Sequence, residues 1–181
     1  MIELSFLFGQ LMVCAGWLLF RLAAYRRNQK VSWRYEAAQL FFLINLLVIY
    51  RMTFHPFSKV DGQVQPLIFE WATVWPLRVN LIPLVNLLNF DTKRDLLLNL
   101  IGNFAMFIPT GIMTPLIYKN HKSFRNVFLT GFLLSLSIEI IQLPFAVRAS
   151  DVDDLILNTA GCMTGYGIYA LVRWIVKLFK K

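Results

Sequence analysis

Long apolar runs separated by short polar segments make up most of this chain. Five of these runs are near the roughly 20 residues with which an α-helix crosses a hydrocarbon core about 30 Å thick. They are Leu4–Ala24, Ala37–Thr53, Leu96–Tyr118, Val127–Leu143 and Leu155–Phe179. The pattern predicts an all-α fold, a polytopic membrane bundle of about five transmembrane helices that forms a single membrane domain over residues 1–181.

The composition of the chain supports an integral membrane protein. Hydrophobic residues make up 57% of the sequence and charged residues 15%, whereas a soluble domain has about 45–50% and about 25%. A domain of this size leaves roughly 30% of its unfolded surface exposed, so one small core cannot hide this excess. Much of the apolar surface must face lipid, and membrane lipids are the first partners that we expect.

The region between the second and third runs is apolar, but it is not typical of a continuous helix. Residues 66–90 contain three prolines, each of which removes a backbone donor: Pro66, Pro76 and Pro83. Trp71 and Trp75 suit a membrane–water interface, where the ring is in apolar surroundings and its N–H reaches water. We predict that residues 54–95 form an outer interfacial segment, in which 66–90 lie flat or re-enter the membrane.

The distribution of Lys and Arg predicts the orientation. With five spans, one side of the membrane holds only six of the eighteen basic residues: Arg51, Lys59, Arg78, Lys93, Arg94 and Arg148. Basic residues accumulate on the cytoplasmic side, which places the amino terminus outside and the carboxyl terminus inside the cell membrane. The net charge of +8 then reflects inner loops that face anionic lipid rather than a nucleic-acid partner.

Polar side chains recur at helical spacing near the predicted outer ends of the last three helices. The residues are Asn99 and Asn103, Ser135, Glu139 and Gln142, and Asp154 and Asn158. Residues three or four apart share one face of a helix, and a polar group that faces lipid is costly. We therefore expect one shallow polar layer inside the bundle. Gly161 and Gly165 continue the stripe of the fifth helix with small residues that allow another helix to approach closely.

Glu139 is the least expected residue of this layer, because it lies near the carboxyl end of its helix, where a negative charge is disfavoured. Three interpretations stay open: Glu139 is neutral, it pairs with Arg148, or it binds something that arrives from outside. The asparagines and Ser135 could instead be interhelical hydrogen-bonding residues, worth about 0.6 kcal/mol each.

Helix capping accounts for some of the acidic residues. Thr92 with Asp95 predicts a capped start of the third helix, and Ser150 with Asp153 predicts the same for the fifth. Asp151 and Asp154 suit the positive end of the fifth helix.

Residues 80–169 resemble the VanZ-like membrane proteins, a family named for a bacterial teicoplanin-resistance factor. The resemblance is carried by four stretches, "NLIPLVNLLNF" (80–90), "NLIGNFAMFIPTGIMTPLI" (99–117), "SLSIEIIQL" (135–143) and "RASDVDDLILNTAGCMTGYGIY" (148–169). The matching positions include Asn80, Pro83, Asn99, Asn103, Ser135, Glu139, Gln142, Arg148, Asp151, Asp153, Asp154, Asn158, Gly161 and Gly165. Leu84 departs from the phenylalanine that the family pattern usually has after Pro83. The resemblance implies a role at the bacterial cell envelope that lowers susceptibility to lipoglycopeptides.

Two classes of function follow from these residues. In the first, a non-enzymatic envelope factor binds a lipid-linked cell-wall precursor or a lipoglycopeptide in an outer polar pocket, where Arg148 engages phosphate. In the second, an enzyme acts on lipid or precursor head groups, with Glu139 as general acid or base and Asp151, Asp153 and Asp154 holding a divalent cation. The first is favoured and requires no cofactor, because the chain has no recognisable nucleophile and its aspartates also suit helix caps. Transport is a weaker third option, since five spans lack repeat symmetry.

Overall fold

The protein is seen here as a computed structural model. It describes residues 2–28, 32–55, 59–60, 63–64, 66–70, 72, 75, 78–84, 92–118, 122–145 and 150–180. Five helices dominate it: α1 (Phe6–Asn28), α2 (Trp33–Phe54), α3 (Lys93–Ile117), α4 (Phe124–Gln142) and α5 (Val152–Leu178). All five are long and apolar enough to cross a membrane, which confirms the prediction of an all-α, multi-pass membrane protein.

Four of the helices begin earlier than the apolar runs indicate, α3 at Lys93 and α4 at Phe124 by three residues each. Helix α2 begins at Trp33 and α5 at Val152, four and three residues before the predicted positions. Their first turns are polar, with Glu36 in α2 and Asp154 in α5. Hydropathy marks only the part of a helix that suits lipid, whereas the backbone hydrogen bonds continue outward until a cap ends them.

The capping predictions have different outcomes for the two helices. Thr92 caps α3, where its hydroxyl accepts a hydrogen bond from the Asp95 N–H at 3.1 Å, as predicted. Ser150 does not cap α5, so that prediction is wrong. Ser150 lies in a short strand, and Asp151 is the cap, with its carboxylate accepting from the Asp153 N–H at 3.0 Å.

Among the residues that the structure describes, six short strands connect or flank the helices. They are β1 (Ile2–Leu4), β2 (Lys59–Val60), β3 (Gln63–Val64), β4 (Leu67–Phe69), β5 (Val79–Asn80) and β6 (Ser150–Asp151). Strand β1 pairs antiparallel with β4, β2 pairs antiparallel with β3, and β5 pairs parallel with β6. The first predicted span therefore began too early, because Leu4 hydrogen-bonds in a strand and the helix starts at Phe6. Within the predicted interfacial segment 54–95, residues 85–91, Trp71 and Pro76 lie outside the described part, and residues 93–95 belong to α3.

The chain divides into two compact units. Unit one comprises Met1–Arg78 and Gln142–Arg148, and unit two comprises Val79–Ile141 and Ala149–Lys181. In unit one, α1 packs on α2 where Gly9 meets Tyr50: a Cβ on Gly9 would lie 1.6 Å from the tyrosine hydroxyl.

Polar contacts also tie unit one together. Arg21 forms a salt bridge with Glu36 at 2.5 Å between α1 and α2. The segment after α4 joins the same unit, since the Gln142 side-chain amide donates to the Thr53 carbonyl oxygen at 2.7 Å.

In unit two, α5 packs against both α3 and α4. A Cβ on Gly161 would lie 1.9 Å from the Phe104 carbonyl oxygen, so the α3 and α5 backbones are in direct contact at this level. On α4, a Cβ on Gly131 would lie 2.7 Å from the side chain of Cys162, which is fully buried. Small residues thus set the helix spacing on two sides of α5, which is the usual way for membrane helices to approach closely.

Candidate functional site

The amino end of α5 is the centre of a polar cluster in unit two. We use the name polar cluster for the side chains of Asn80, Asn103, Ser135, Glu139, Asp151, Asp153, Asp154 and Asn158. Three of these are the aspartates of the first turn and cap, which suit the positive end of the helix dipole. The other members come from β5, α3, α4 and the second turn of α5.

Glu139 connects the last turn of α4 to this helix start. Its carboxylate oxygen Oε2 accepts a hydrogen bond from the Asp151 backbone N–H at 2.8 Å, and the Ser150 side chain also hydrogen-bonds to it. Only 4% of Glu139 is exposed. The carboxyl group of Glu139, whose negative charge would be disfavoured at the end of α4, thus lies beside the positive end of α5. Arg148, the partner of Glu139 in one of the three interpretations left open, lies outside the described residues.

The turn after β5 binds two of the aspartates. The Asn80 side-chain amide donates to Asp151 at 3.1 Å, and its oxygen accepts from the Ile82 N–H at 3.2 Å, as in an Asx turn. The Leu84 N–H then donates to both carboxylate oxygens of Asp153, at 3.0 and 2.9 Å. Leu84 has a φ of 68°, a left-handed conformation that costs a non-glycine residue about 1–2 kcal/mol. The acidic turn of α5 therefore fixes a strained loop conformation.

Amides on the neighbouring helices complete the cluster. The Asn103 side-chain amide on α3 donates to Asp154, and the Asn158 side-chain amide donates to the Ser135 hydroxyl of α4 at 2.9 Å. Ser135 is fully buried, and Asn158 is 1% exposed. Asn99 lies one turn before Asn103 and is half-buried. It forms no hydrogen bond with the members of the polar cluster within the described residues.

One side of the cluster has polar atoms whose hydrogen bonds are incomplete. Neither the Asn158 carbonyl oxygen Oδ1 nor the Thr159 hydroxyl has a partner within the residues that the structure describes, although both atoms are buried. A buried polar atom without a partner costs about 1–3 kcal/mol. The polar layer thus retains hydrogen-bonding capacity below the aspartates, on the face of α5 that carries Asn158.

The aspartates do not form a metal centre with one another. Within the described ranges, no three His, Cys, Asp or Glu side chains are grouped so that they could hold a metal ion. Each aspartate meets a different donor: Asp151 meets Asn80, Asp153 meets the Leu84 N–H, and Asp154 meets Asn103. The donor set suits structural hydrogen bonding better than an oxygen cage for a hard cation, which would need several converging oxygens.

The structure separates the eleven predicted pocket residues into the eight of the polar cluster and three others, of which Asn99 lies on α3 outside the cluster. It brings the eight members of the polar cluster together in unit two. Gln142 instead bonds Thr53 in unit one, and Arg148 is not described. Sequence reasoning missed the role of Ser150 as a partner of Glu139 and the role of the Leu84 backbone. No side-chain pattern could have indicated the latter, because the group that binds Asp153 is a main-chain N–H.

Comparison with known proteins adds the following. The model of the VanZ/LLP1 family matches residues 10–173 of the chain. Protein VanZ of Enterococcus faecium is 33% identical over 107 residues, which are 56% of this chain and 66% of that protein. The match thus spans just under two thirds of the relative's length. No solved structure matches the chain.

Proposed function

Since the chain belongs to the VanZ/LLP1 family, we propose that it is a bacterial cell-envelope factor that binds a ligand at the polar cluster. The ligand is a lipid-linked envelope precursor or a lipoglycopeptide, and binding contributes to resistance of the teicoplanin type. The protein acts by binding rather than by catalysis.

The observation that carries this proposal is the convergence of four elements of unit two on one helix end. Side chains from β5, α3 and α4 meet the first turns of α5. If these residues served packing alone, their hydrogen bonds would be expected to close among themselves. The Asn158 oxygen is buried and has no partner in the described part of the chain, which supports a role for the cluster toward a further group.

The charge of the cluster indicates what kind of group it would bind. Four carboxylates lie within the 16 residues from Glu139 to Asp154, and the contacts above use backbone N–H groups and neutral amides. Carboxylate oxygens only accept hydrogen bonds when ionised, so the complementary ligand offers donors. Sugar hydroxyls, amide N–H groups and ammonium groups meet this requirement. Arg148 stays the residue expected to engage phosphate, and it lies outside the described residues.

We place the cluster on the outer side of the membrane, on the basis of the Lys and Arg distribution. A cysteine introduced at Ser150 in a Cys14→Ser background should react with a membrane-impermeant thiol reagent in intact cells. A cysteine at Lys180, two residues beyond α5, should react only after the cells are opened. The reverse pattern would move the cluster to the cytoplasmic side and remove the proposed access route.

The resistance role can be tested with Asp154→Asn. This substitution retains an oxygen that can accept from Asn103 but removes the charge. The minimal inhibitory concentration of teicoplanin for a susceptible host that expresses the chain should fall about fourfold or more, because a hydrogen bond to a charged group is worth about 1.5–3 kcal/mol.

Asp95→Asn is the matched control, since Asp95 is an exposed carboxylate in the first turn of α3, outside the cluster, where it accepts a hydrogen bond from the Thr92 hydroxyl. It should leave the inhibitory concentration unchanged. Membrane levels and thermal unfolding of the purified variants separate loss of binding from loss of folding. A folded Asp154→Asn protein that gives full resistance would overturn the proposal, and so would an equal loss in Asp95→Asn.

A further inference from the structure

A second site candidate lies at the opposite end of unit two. A cleft of about 260 Å³ opens beside the last turns of α5 and the residue pair that precedes α4. Its principal lining residues are Lys122, Tyr166, Tyr169, Arg173, Trp174 and Lys177. None of the cleft's lining residues is acidic, and three of them are cations.

The wall of the cleft is one stripe of a single helix. The five α5 residues occupy positions i, i+3, i+7, i+8 and i+11, counted from Tyr166, which places them on the same face. Two contacts join this wall together. The Tyr166 hydroxyl donates to the Lys122 carbonyl oxygen at 3.1 Å, and the Arg173 guanidinium donates to the Tyr169 hydroxyl at 3.4 Å. Two cations thus project from α5, and a third reaches the cleft from the segment before α4.

The position of the cleft along α5 corresponds to a membrane boundary. Arg173 follows Asp154 by 19 residues, which is about 29 Å of helix at 1.5 Å per residue. This distance nearly equals the hydrocarbon thickness of a bilayer, about 30 Å. If the acidic turn lies at one boundary, the basic cleft lies at the other. Trp174 is 59% exposed there, as is typical of aromatic residues at the membrane–water interface.

Apolar surface adjoins the cations of the cleft. Phe124, whose ring lies edge-to-face with that of Tyr166 in the cleft wall at 6.2 Å between centroids, is 64% exposed. A soluble anion would use only the charged part of such a surface. A lipid would place its acyl chains against the apolar side chains and its charged head among the basic and phenolic groups.

We propose that this cleft binds the phosphate head group of an anionic phospholipid. Arg173 and Lys177 hold the phosphate oxygens through charge-assisted hydrogen bonds, and Lys122 adds a third cation from the opposite side. Tyr169 positions the Arg173 guanidinium, and Trp174 lies beside the glycerol and the start of the acyl chains. The site is separate from the polar cluster and independent of the function proposed for it.

Native mass spectrometry of the full chain, released from micelles that contain either phosphatidylglycerol or phosphatidylcholine, tests the proposal. The wild type should bind phosphatidylglycerol at least about fivefold more tightly than the zwitterionic lipid. The double variant Arg173→Gln/Lys177→Gln should bind phosphatidylglycerol about tenfold more weakly, as expected when hydrogen bonds to a charged group are lost.

The double variant Arg125→Gln/Lys180→Gln is the matched control. It removes the same amount of charge near the same helix ends, but neither residue lines the cleft. Its affinity for phosphatidylglycerol should stay within about twofold of the wild type, because side chains that do not line the cleft contribute only to the general attraction for anionic lipid. Equal losses in the two double variants would reduce the effect to the general attraction between basic loops and anionic lipid, and would overturn the proposal.

Two further measurements distinguish the remaining outcomes. Arg173→Lys retains the charge and should retain most of the affinity, whereas Arg173→Gln should not, and both single variants can be compared if the double variant does not fold. Inorganic phosphate added in large excess should displace little phosphatidylglycerol. Full displacement by phosphate, or equal retention of the two lipids by the wild type, would show that no phospholipid head group is recognised.

Discussion

The Asp151 backbone N–H donates to the Glu139 carboxylate at 2.8 Å, and this hydrogen bond joins the end of α4 to the start of α5. Asp151 caps its own helix with its side chain and gives its main-chain N–H to Glu139. Glu139 thus accepts from an N–H group of a kind that often donates to water, since the N–H groups at a helix start have no partner within the helix. This relationship explains why a carboxylate is retained near the end of an apolar helix.

The first prediction concerns this bond. Glu139→Leu leaves the Asp151 N–H without its acceptor in a buried site, and the free energy of unfolding should fall by about 1–3 kcal/mol. Glu139→Gln keeps an oxygen that can accept this hydrogen bond, so the free energy of unfolding of this variant should fall by less. Thermal unfolding of the purified variants in detergent measures both.

Ser137→Ala serves as the control for these two variants. Ser137 lies on the same helix, is exposed, and bonds only the Leu133 carbonyl within the residues described. Ser137→Ala should change the free energy of unfolding by less than about 0.5 kcal/mol. If Glu139→Leu were as stable as the wild type, the bond between Glu139 and Asp151 would contribute nothing to the fold.

The second prediction concerns the contact between α3 and α5. In Gly161→Ala the new methyl group would lie 1.9 Å from the Phe104 carbonyl oxygen, so the two backbones must separate, at a cost of about 1–3 kcal/mol. Gly167→Ala on the same helix meets nothing within 4 Å and should stabilise the protein by about 0.5–1 kcal/mol. Unfolding measurements should therefore show opposite signs, and equal signs would contradict the packing described here.

The third prediction concerns the strained turn at Leu84. Glycine adopts a φ of 68° without steric cost, and the Leu84 side chain is 64% exposed, so Leu84→Gly loses little packing. We expect the variant to be more stable by about 1 kcal/mol, while Leu84→Val, which is β-branched, should be less stable. The two variants differ in backbone preference more than in burial. A loss of stability in Leu84→Gly would indicate that the side chain matters more than the backbone conformation.

The fourth prediction concerns the pairing of Asn103 with Asp154. A double-mutant cycle between Asn103→Ala and Asp154→Ala should give a coupling free energy of about 0.6–1.7 kcal/mol, the range found for interhelical bonds in membranes. The same cycle with Asn99→Ala in place of Asn103→Ala should give a value near zero. Equal coupling for the two asparagines would mean that the polar stripe acts as a whole rather than through this one bond.

The resemblance found in the sequence covered residues 80–169, whereas the family match begins at residue 10. The difference has a physical origin. Residues at the polar cluster must present particular hydrogen-bonding groups at particular positions, and these stand out in a single sequence. The first two helices satisfy their constraints with any suitable apolar residues, so their family character is hard to see without a comparison.

The cap of α5 shows where local pattern reasoning fails. Ser150 and Asp153 have the spacing of a capping box, but Ser150 pairs in β6 with β5, and Asp151 takes its place. Both residues are good caps, and the sequence contains no local preference strong enough to choose between them. The choice depends on a strand from a segment about 70 residues away.

The five helices, the polar stripes on the last three and the excess of basic residues can all be read from the chain alone, because helical periodicity, hydropathy and charge are local properties. The pairings of Asn158 with Ser135, of Asn103 with Asp154 and of Glu139 with the Asp151 N–H follow instead from how the helices pack. These pairings depend on the relative heights and rotations of helices, which glycine contacts such as that of Gly161 with Phe104 set. A shift of one helical turn would exchange the partners while leaving every local pattern unchanged.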